Sequence, residues 1–195
     1  SAETILHEAQ RMEKMIAQML MLARAQEGRQ PVIRESFALR SVFEGVCEAL
    51  EEPMREKRIT CQCDVPPEIL LFADQSLITR LVLNLVENAV KYGKPGGTIR
   101  CSAREDARGT VFFVQDDGIG IAQEDLPHVF ERFFRADSAR DRSGTGLGLS
   151  IAKWIADVHG AALDVKSAPG RGTIFTVTLP RKPEKEEKPD FAGQS

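Results

Sequence analysis

Three short segments carry polar side chains, two of them together with glycines, in spacings that suit ligand binding. The first, DDGIGI at 116–121, follows the apolar run at 111–114 after a single residue, Gln115. A carboxylate such as that of Asp116, at the end of a strand, can accept a hydrogen bond from an exocyclic amine such as adenine N6, and Gly118 and Gly120 let the backbone approach a flat ring. A simple turn also explains this segment, so alone it indicates a nucleotide only weakly.

The second segment, GTGLGLS at 144–150, stands at the start of a predicted helix. Glycines at alternate positions leave backbone N–H groups free to point at an anion, and the helix N-terminus adds partial positive charge. No Lys-Ser/Thr pair ends the segment, so it is not a P-loop. The preceding stretch, 135–143, is polar and charged rather than strand-like, so it is not a dinucleotide fingerprint. The segment therefore predicts a phosphate cradle.

The third segment, NLVENAVKY at 84–92, places Asn84, Asn88 and Lys91 on one face of a helix. Asparagine is a mediocre helix former, so two of them one turn apart in an otherwise apolar helix suggest a polar task. An amide oxygen suits Mg²⁺, and Lys91 suits phosphate charge. An ordinary solvated helix face is the alternative. Glu87, next to Asn88, is expected to point elsewhere on the helix.

Composition narrows the class of protein. The chain has 195 residues, 42% hydrophobic and 28% charged, with a formal net charge of −3. That charge argues against a nucleic-acid binder that works by bulk charge. No apolar run is long enough to span a membrane, and no secretory leader is recognisable. The cysteines at 47, 61, 63 and 101 lack CxxC or histidine spacing, which suggests neither a zinc site nor a disulfide framework and makes a reducing compartment the default. We expect Cys61, Cys63 and Cys101 to pack within strands.

A long amphipathic helix is predicted over 1–27, ending at Gly28. Its apolar seam has coiled-coil spacing and is formed by Ile5, Ala9, Met12, Ile16, Met19 and Ala23. The helix either faces the core in the ordinary way or is half of a helical hairpin, because a wide apolar stripe needs something to cover it.

The remaining pattern predicts a two-layer α/β (α+β) sandwich. Its mixed sheet of about five strands is covered by about three helices, and the long helix precedes it. Further helices are predicted at 37–57, 77–92 and 147–158, and strands at 59–65, 69–72, 98–103, 110–115, 162–167 and 173–179. The tail, 181–195, is predicted to be disordered.

Five motifs in order resemble those of one family. They are similar to the N, G1, F and G2 boxes and the last glycine motif of the catalytic, ATP-binding domain of bacterial sensor histidine kinases, and they lie at 84–92, 116–121, 130–135, 144–149 and 170–175. The resemblance covers about 32–180. It implies the sandwich fold shared with gyrase-type and heat-shock chaperone ATPases.

The first helix also resembles part of that family. Arg11-Met12 and the stretch 20–24 are similar to the second helix of the dimerisation and phosphoacceptor hairpin. The implied domains are this partial hairpin at 1–30, the catalytic domain at 31–180 and the tail. His7 is followed by Glu8, as in family acceptors, but the residues after it depart from the acceptor pattern. We therefore expect the phosphorylated histidine to lie outside this chain and expect no autophosphorylation.

The resemblance implies a role for each site residue. Asn84, Asn88 and Lys91 would be catalytic, with Asn88 holding Mg²⁺ and Lys91 facing phosphate. Asp116 would bind adenine N6. The remaining implied nucleotide contacts are Tyr92, Gly118, Gly120, Arg135, Gly144, Thr145, Gly146, Leu147, Gly148 and Thr173. The stretch 135–143, with Arg135, Arg140 and Arg142, would be a mobile lid.

The implied reaction moves the γ-phosphoryl group of ATP to a histidine and then to an aspartate of a response regulator. The implied partners are that regulator, the phosphoacceptor helix of the same or the partner subunit and a second copy in a homodimer, with no nucleic acid. The domain would be cytoplasmic, in a parent protein anchored in the inner membrane.

Two rival functions stay open. Gyrase-type and chaperone-type ATPases place a glutamate, which activates water, where this chain has Asn84, and an amide cannot act as a base. That favours phosphoryl transfer over hydrolysis. A nucleotide-binding interaction module is the other alternative, and a serine kinase of the same superfamily fits the first helix less well.

Overall fold

A computed structural model of the chain describes residues 1–136 and 144–181. The helices are α1 (Ala2–Gln26), α2 (Leu39–Ala49), α3 (Glu51–Glu56), α4 (Gln75–Tyr92) and α5 (Gly148–Val158), with a short 3-10 turn at Leu126–His128. The strands are β1 (Glu35–Ala38), β2 (Thr60–Asp64), β3 (Leu70–Ala73), β4 (Thr98–Asp106), β5 (Gly109–Asp116), β6 (Ala162–Ser167) and β7 (Thr173–Pro180). Most of the predicted lid, including Arg140 and Arg142, and nearly all of the tail lie outside the described residues.

The main sheet has five strands in the order β2-β4-β5-β7-β6. β2 runs parallel to β4, and the other neighbours are antiparallel. β4 and β5 form the predicted hairpin, and β6 and β7 the predicted last pair. The mixed sheet covered by helices confirms the predicted fold class.

The strand predicted at 69–72 is confirmed as β3 (Leu70–Ala73). It pairs with β1, which was not predicted, in an antiparallel ribbon separate from the main sheet. A second prediction in this region was wrong. The single helix predicted over 37–57 is instead β1 followed by α2 and α3, which meet at Leu50. The ribbon is four residues long, so its alternation of buried and exposed side chains is too short to be told from a helical stripe.

Helix α4 and strand β5 form the centre of the core. The buried face of α4 includes Leu81, Val82, Leu85 and Val86, each 0% exposed. On β5, the Phe112 ring meets Phe43 of α2 edge to face, with ring centroids 5.8 Å apart. Burial of each large apolar side chain contributes about 1.5–3 kcal/mol, so this layer holds α4 firmly on the sheet.

The N-terminus of α4 is fixed by Asp74 and His159. Asp74 Oδ1 accepts the Leu77 N–H at 3.0 Å, and its Oδ2 accepts the Ile33 N–H at 2.8 Å. The Asp74 N–H donates to His159 Nε2 at 3.0 Å, while His159 Nδ1 lies 2.8 Å from the Ile155 carbonyl oxygen. His159 is buried, and its two ring nitrogens thus join the start of α4 to the end of α5.

The C-terminus of α4 is held by Lys57, which follows α3. Its Nζ donates to the carbonyl oxygens of Val90, Lys91 and Gly93 at 2.8, 2.7 and 3.3 Å. These carbonyls lie in the last turn and just beyond it, where helical partners are missing and a cation is favoured. Lys57 therefore fixes the end of the helix that carries Lys91 and Tyr92.

Helix α1 is only partly packed. Leu22 is buried against the body, whereas Ile5, Leu6, Met12, Ile16, Met19 and Leu20 are exposed. Among the described residues, no helix has both the length and the apolar content that crossing a bilayer requires.

Replacement of Lys57 by methionine keeps the apolar stem and removes the charge that caps α4. We expect Lys57→Met to lower the free energy of unfolding by about 1–3 kcal/mol, because several charge-assisted hydrogen bonds to helix-end carbonyls are lost. Urea unfolding measures this change.

The matched control is Lys153→Met, which removes an exposed pair with Asp157 at 2.8 Å within α5. Such pairs contribute less than about 0.5 kcal/mol. Equal losses in the two variants would contradict the capping role of Lys57.

Candidate functional site

A cavity of about 780 Å³ lies where α4, the end of β5, the start of β7 and the start of α5 meet. Most of the predicted site residues line it: Asn84, Asn88, Lys91, Tyr92, Asp116, Gly120, Arg135, Gly144, Thr145, Gly146, Gly148 and Thr173. Gly118 and Leu147, also predicted as nucleotide contacts, do not. The fold thus brings segments far apart in the sequence to one site.

Asp116 is the last residue of β5 and is only 6% exposed. Its Oδ1 accepts the Gly118 N–H at 2.8 Å, so Gly118 orients this carboxylate instead of lining the cavity. Burial raises the pKa of Asp116 to about 6, although hydrogen bonds from the backbone of Gly118 and Thr173 oppose the shift. A buried carboxylate with capacity for a further donor suits recognition of an amine.

Asp117, adjacent to Asp116, has a structural role. Its Oδ1 accepts the Thr98 N–H at 3.0 Å, and its Oδ2 lies 3.6 Å from Lys94 Nζ. It therefore ties the end of β5 to the start of β4. The two acids of the motif alternate in direction, as successive residues at a strand end do.

A pair of hydroxyls braces the wall beside Asp116, because Thr173 is the register partner of Asp116 on β7. Ser167 Oγ lies 2.8 Å from Thr173 Oγ1, accepts the Ile121 N–H at 2.8 Å and donates to the Gly172 carbonyl oxygen at 2.7 Å. The serine thus joins the turn after Asp116 to the turn between β6 and β7. Sequence reasoning missed it, because a serine at the end of a strand carries no signal of its own.

The polar face of α4 meets the loop at 144–148, which carries Gly144, Gly146 and Gly148 and is the glycine loop of this site. Asn84 is buried, and its Nδ2 has no hydrogen-bond partner within the described part of the chain. A Cβ at Gly148 would stand 3.4 Å from Asn84 Oδ1, and one at Gly144 would collide with Lys91 Nζ. The glycines therefore keep space open beside an amide and an ammonium group.

The loop itself is held by the F-box segment. Gly146 has φ 72°, and its carbonyl oxygen accepts the Phe133 N–H at 2.9 Å. A Cβ at Gly146 would lie 2.9 Å from Phe133 Cα, so both the dihedral and the close approach require glycine. Leu147, 1% exposed, packs into the core and starts α5, which explains why it does not line the cavity.

The donors and acceptors fit a nucleotide with a divalent cation. Backbone N–H groups at the start of α5 and the Lys91 ammonium complement phosphate oxygens. The amide oxygen of Asn88 is the kind of ligand that Mg²⁺ prefers. The space that the glycines leave open beside these groups is where phosphates would lie.

Helix α1 forms an unexpected wall of the cavity. His7, Gln10, Arg11, Lys14 and Gln18 line it, although the sequence prediction placed this helix in a separate domain. Thr145 Oγ1 donates to Gln18 Oε1 at 2.7 Å, and Arg11 Nη2 reaches the Gly144 carbonyl oxygen at 3.5 Å. The missed signal is a polar stripe at 7, 11, 14 and 18, whose spacing puts these residues on one helical face.

Glu87 also differs from expectation. It was predicted to point away from the Asn88 face, but it lines the cavity, and its Oε1 lies 3.1 Å from Lys14 Nζ of α1. Because α1 lies beside α4, the cavity is lined by the face of α4 that carries Glu87 as well as by the face that carries Asn84 and Asn88.

The raised pKa of Asp116 predicts a pH-dependent effect on stability. Its ordinary pKa is 3.8, so between about pH 4 and 6 the folded chain holds a proton that the unfolded chain has lost, and stability falls as pH rises through this window. The variant Asp116→Asn has no carboxyl group to ionise, so its stability should not fall in this way. We expect the free energy of unfolding of the variant at pH 7 to exceed that of the parent chain by about 2–3 kcal/mol, and this difference to vanish near pH 3.8.

Urea unfolding over this pH range measures the effect. Asp117→Asn is the matched control, and it is expected to destabilise, because its acceptor for Thr98 and its partnership with Lys94 are weakened. A gain in Asp116→Asn that did not depend on pH would contradict burial as its cause.

Comparison with known proteins assigns the fold to a family. Residues 73–183 match the family described as histidine kinase-, DNA gyrase B-, and HSP90-like ATPase. The chain is 42% identical over 180 residues to the sensor histidine kinase YkoH of Bacillus subtilis, covering 91% of this chain and 38% of that protein. The chain thus spans well under half the length of that relative.

Solved structures agree. Full-length ShkA in complex with AMPPNP matches with a TM-score of 0.79 at 26% identity, covering 91% of this chain and 37% of that one. Histidine kinase ThkA in complex with the response regulator TrrA matches with a TM-score of 0.73 at 25% identity, covering 93% and 51%. The chain therefore belongs to the family of histidine kinase-, DNA gyrase B- and HSP90-like ATPases, and within it corresponds to the catalytic ATP-binding region of sensor histidine kinases.

Proposed function

We propose that this chain transfers the γ-phosphoryl group of Mg²⁺-ATP to a histidine outside its catalytic domain. The observation that carries the proposal is the buried amide of Asn84 at the cavity wall, where a hydrolytic relative would need a carboxylate to activate water. The nucleophile then comes from outside, and this domain contributes positioning and charge neutralisation.

The adenine end of the nucleotide is assigned to the Asp116 side of the cavity. The carboxylate accepts a hydrogen bond from adenine N6, and Thr173 and Gly120 shape the wall around it. The braced Ser167–Thr173 pair supports this assignment, because it holds the surrounding turns in place without a ligand. Tyr92 flanks the same side.

The phosphate end is assigned to the α4 face and the glycine loop. Asn88 would hold Mg²⁺, and Lys91, Gly144, Gly146 and the start of α5 would receive the phosphates. Bound there, Mg²⁺ would supply neutralisation of the charge that develops on the phosphate oxygens. Arg135 also lines the cavity and supplies a further positive charge for the phosphates.

Hydrolysis of ATP is the second candidate function, because Glu87 offers a carboxylate that could activate water. Its carboxylate lies at the cavity wall, next to Asn88 in the sequence. Its carboxylate already pairs with Lys14 of α1 at 3.1 Å, however, so it is engaged in a contact between helices and is not free to activate water. Phosphoryl transfer is therefore the better supported reaction.

Helix α1 is assigned to the dimerisation and phosphoacceptor hairpin as its second helix, within residues 1–30. Its exposed apolar residues, among them Met12, Ile16 and Leu20, support a helical partner within a homodimer. By analogy with the ThkA–TrrA complex, the final acceptor is an aspartate of a response regulator. The relatives are sensor kinases, which supports a cytoplasmic domain of a membrane-anchored parent.

A time course of the fate of ATP tests the reaction. The chain is incubated with Mg²⁺ and ATP and followed by phosphorus NMR, alone and with a separately purified phosphoacceptor hairpin of a histidine kinase. We expect perturbed but intact ATP with the chain alone, and an acid-labile phosphohistidine once the hairpin is added.

Steady release of free phosphate by the chain alone would assign a hydrolase instead. ATP that binds but is neither hydrolysed nor used to phosphorylate the hairpin would indicate a nucleotide-binding module. His7→Ala serves as the internal control: a phosphohistidine on this chain that vanishes in the variant would overturn the assignment of α1 as the second helix.

Asn88→Ala tests the metal site separately. We expect Mg²⁺ to strengthen ATP binding to the parent chain and to lose that effect in the variant, by about tenfold or more in Kd, while metal-free ADP binds both equally. Calorimetric titration with and without Mg²⁺ measures this. Gln75→Ala, an exposed amide at the start of the same helix, is the control; the same metal dependence in all three chains would remove Asn88 from the metal site.

A further inference from the structure

Three cysteine side chains from three different elements converge outside the nucleotide cavity. Cys47 comes from α2, Cys61 from β2 and Cys101 from β4, and their sulfur atoms all lie within 4.8 Å of one another. The Cys47 and Cys61 sulfurs are 3.2 Å apart. None of the three lines the cavity that holds Asp116 and Asn88.

The sheet register creates this cluster. Cys63 of β2 pairs with Cys101 of the parallel strand β4, and Cys61, two residues earlier, has its side chain on the same face as Cys63. Helix α2 packs on that face and adds Cys47 beside the buried Val46. Cys101 is fully buried, whereas Cys47 and Cys61 are half-buried, so the cluster has a closed floor and an accessible side.

The thiols form a connected group. The Cys47 and Cys61 sulfurs are within hydrogen-bonding distance, and the Cys101 sulfur lies within 4.8 Å of both. The thiolate is the form of cysteine that binds metals, so each thiol would give up its proton on joining a metal ion at this cluster.

We propose that Cys47, Cys61 and Cys101 bind one soft metal ion of the Cu(I) class. A metal bound about 2.3 Å from each sulfur would hold the sulfurs roughly 3.8–4.0 Å apart. The observed separations, from 3.2 Å up to a limit of 4.8 Å, bracket that value, so small side-chain movements close the site. Each sulfur that joins the metal loses its proton to solvent, and no change of oxidation state is involved.

The donor set decides the class of metal. The cluster consists of sulfur alone, and no histidine or carboxylate among the described residues joins it. A structural zinc site takes four ligands in a tetrahedron, whereas three thiolates suit Cu(I). The site would pin α2 to the edge of the sheet, and α2 in turn packs on α4.

Cu(I) titration of the full chain tests the proposal. The chain is kept anaerobic and reduced with a phosphine, Cu(I) is titrated in competition with a chromophoric Cu(I) chelator, and native mass spectrometry gives the stoichiometry. We expect one Cu(I) per chain. Cys47→Ser and Cys61→Ser should each weaken binding more than about tenfold, since loss of a ligand exceeds the effect of losing an outer-shell partner.

Cys63→Ser is the matched control, because Cys63 is half-buried on the same strand but lies outside the three-sulfur cluster. It should bind Cu(I) like the parent chain. The two half-buried cysteines carry the test, so it does not depend on the folding of a Cys101 variant; circular dichroism confirms that each variant is folded.

Absence of stoichiometric Cu(I) binding by the reduced parent chain would overturn the proposal. An equal loss of affinity in Cys63→Ser would do the same. Formation of a Cys47–Cys61 disulfide in air, by a chain that binds no Cu(I) when reduced, would assign an oxidisable thiol pair in place of a metal site.

Discussion

The structure depends on one helix that must be buried and polar at once. The apolar face of α4 fills the centre of the core, while Asn84, Asn88 and Lys91 on the same helix face a cavity. Those three side chains are positioned correctly only if the helix neither slides nor frays. Asp74 fixes its first turn, Lys57 fixes its last, and both do so through side chains that satisfy backbone groups lacking helical partners.

A second constraint is the isolated charge of Asp116. Placing a carboxylate at the buried end of β5 costs stability above its raised pKa, and backbone N–H groups offset the cost only in part. A polar group that destabilises the chain alone but complements a ligand is typical of a binding site, where stability is given up for recognition. The surrounding hydroxyls and glycines keep the geometry from relaxing to hide the charge.

Helix α1 has two different faces, one that lines the cavity and an opposite one that is exposed and apolar. Because Gln18, Arg11 and Lys14 reach the glycine loop and α4, a displacement of α1 changes the cavity wall directly. Its opposite face is exposed and apolar. A helical partner on that face would therefore be coupled to the nucleotide through a single rigid element, without a chain of intermediate contacts.

The sequence by itself determined what depends on short-range pattern: the mixed sandwich, the polar face of α4, the glycine loop and the acid at the end of β5. Only the tertiary structure decided which distant segments meet, such as Gln18 with Thr145, 127 residues apart, or Lys57 with the end of α4. It also turned four cysteines without recognisable spacing into a three-sulfur cluster. The reason is physical: periodicity and turn chemistry act over a few residues, whereas these contacts follow from how whole elements pack.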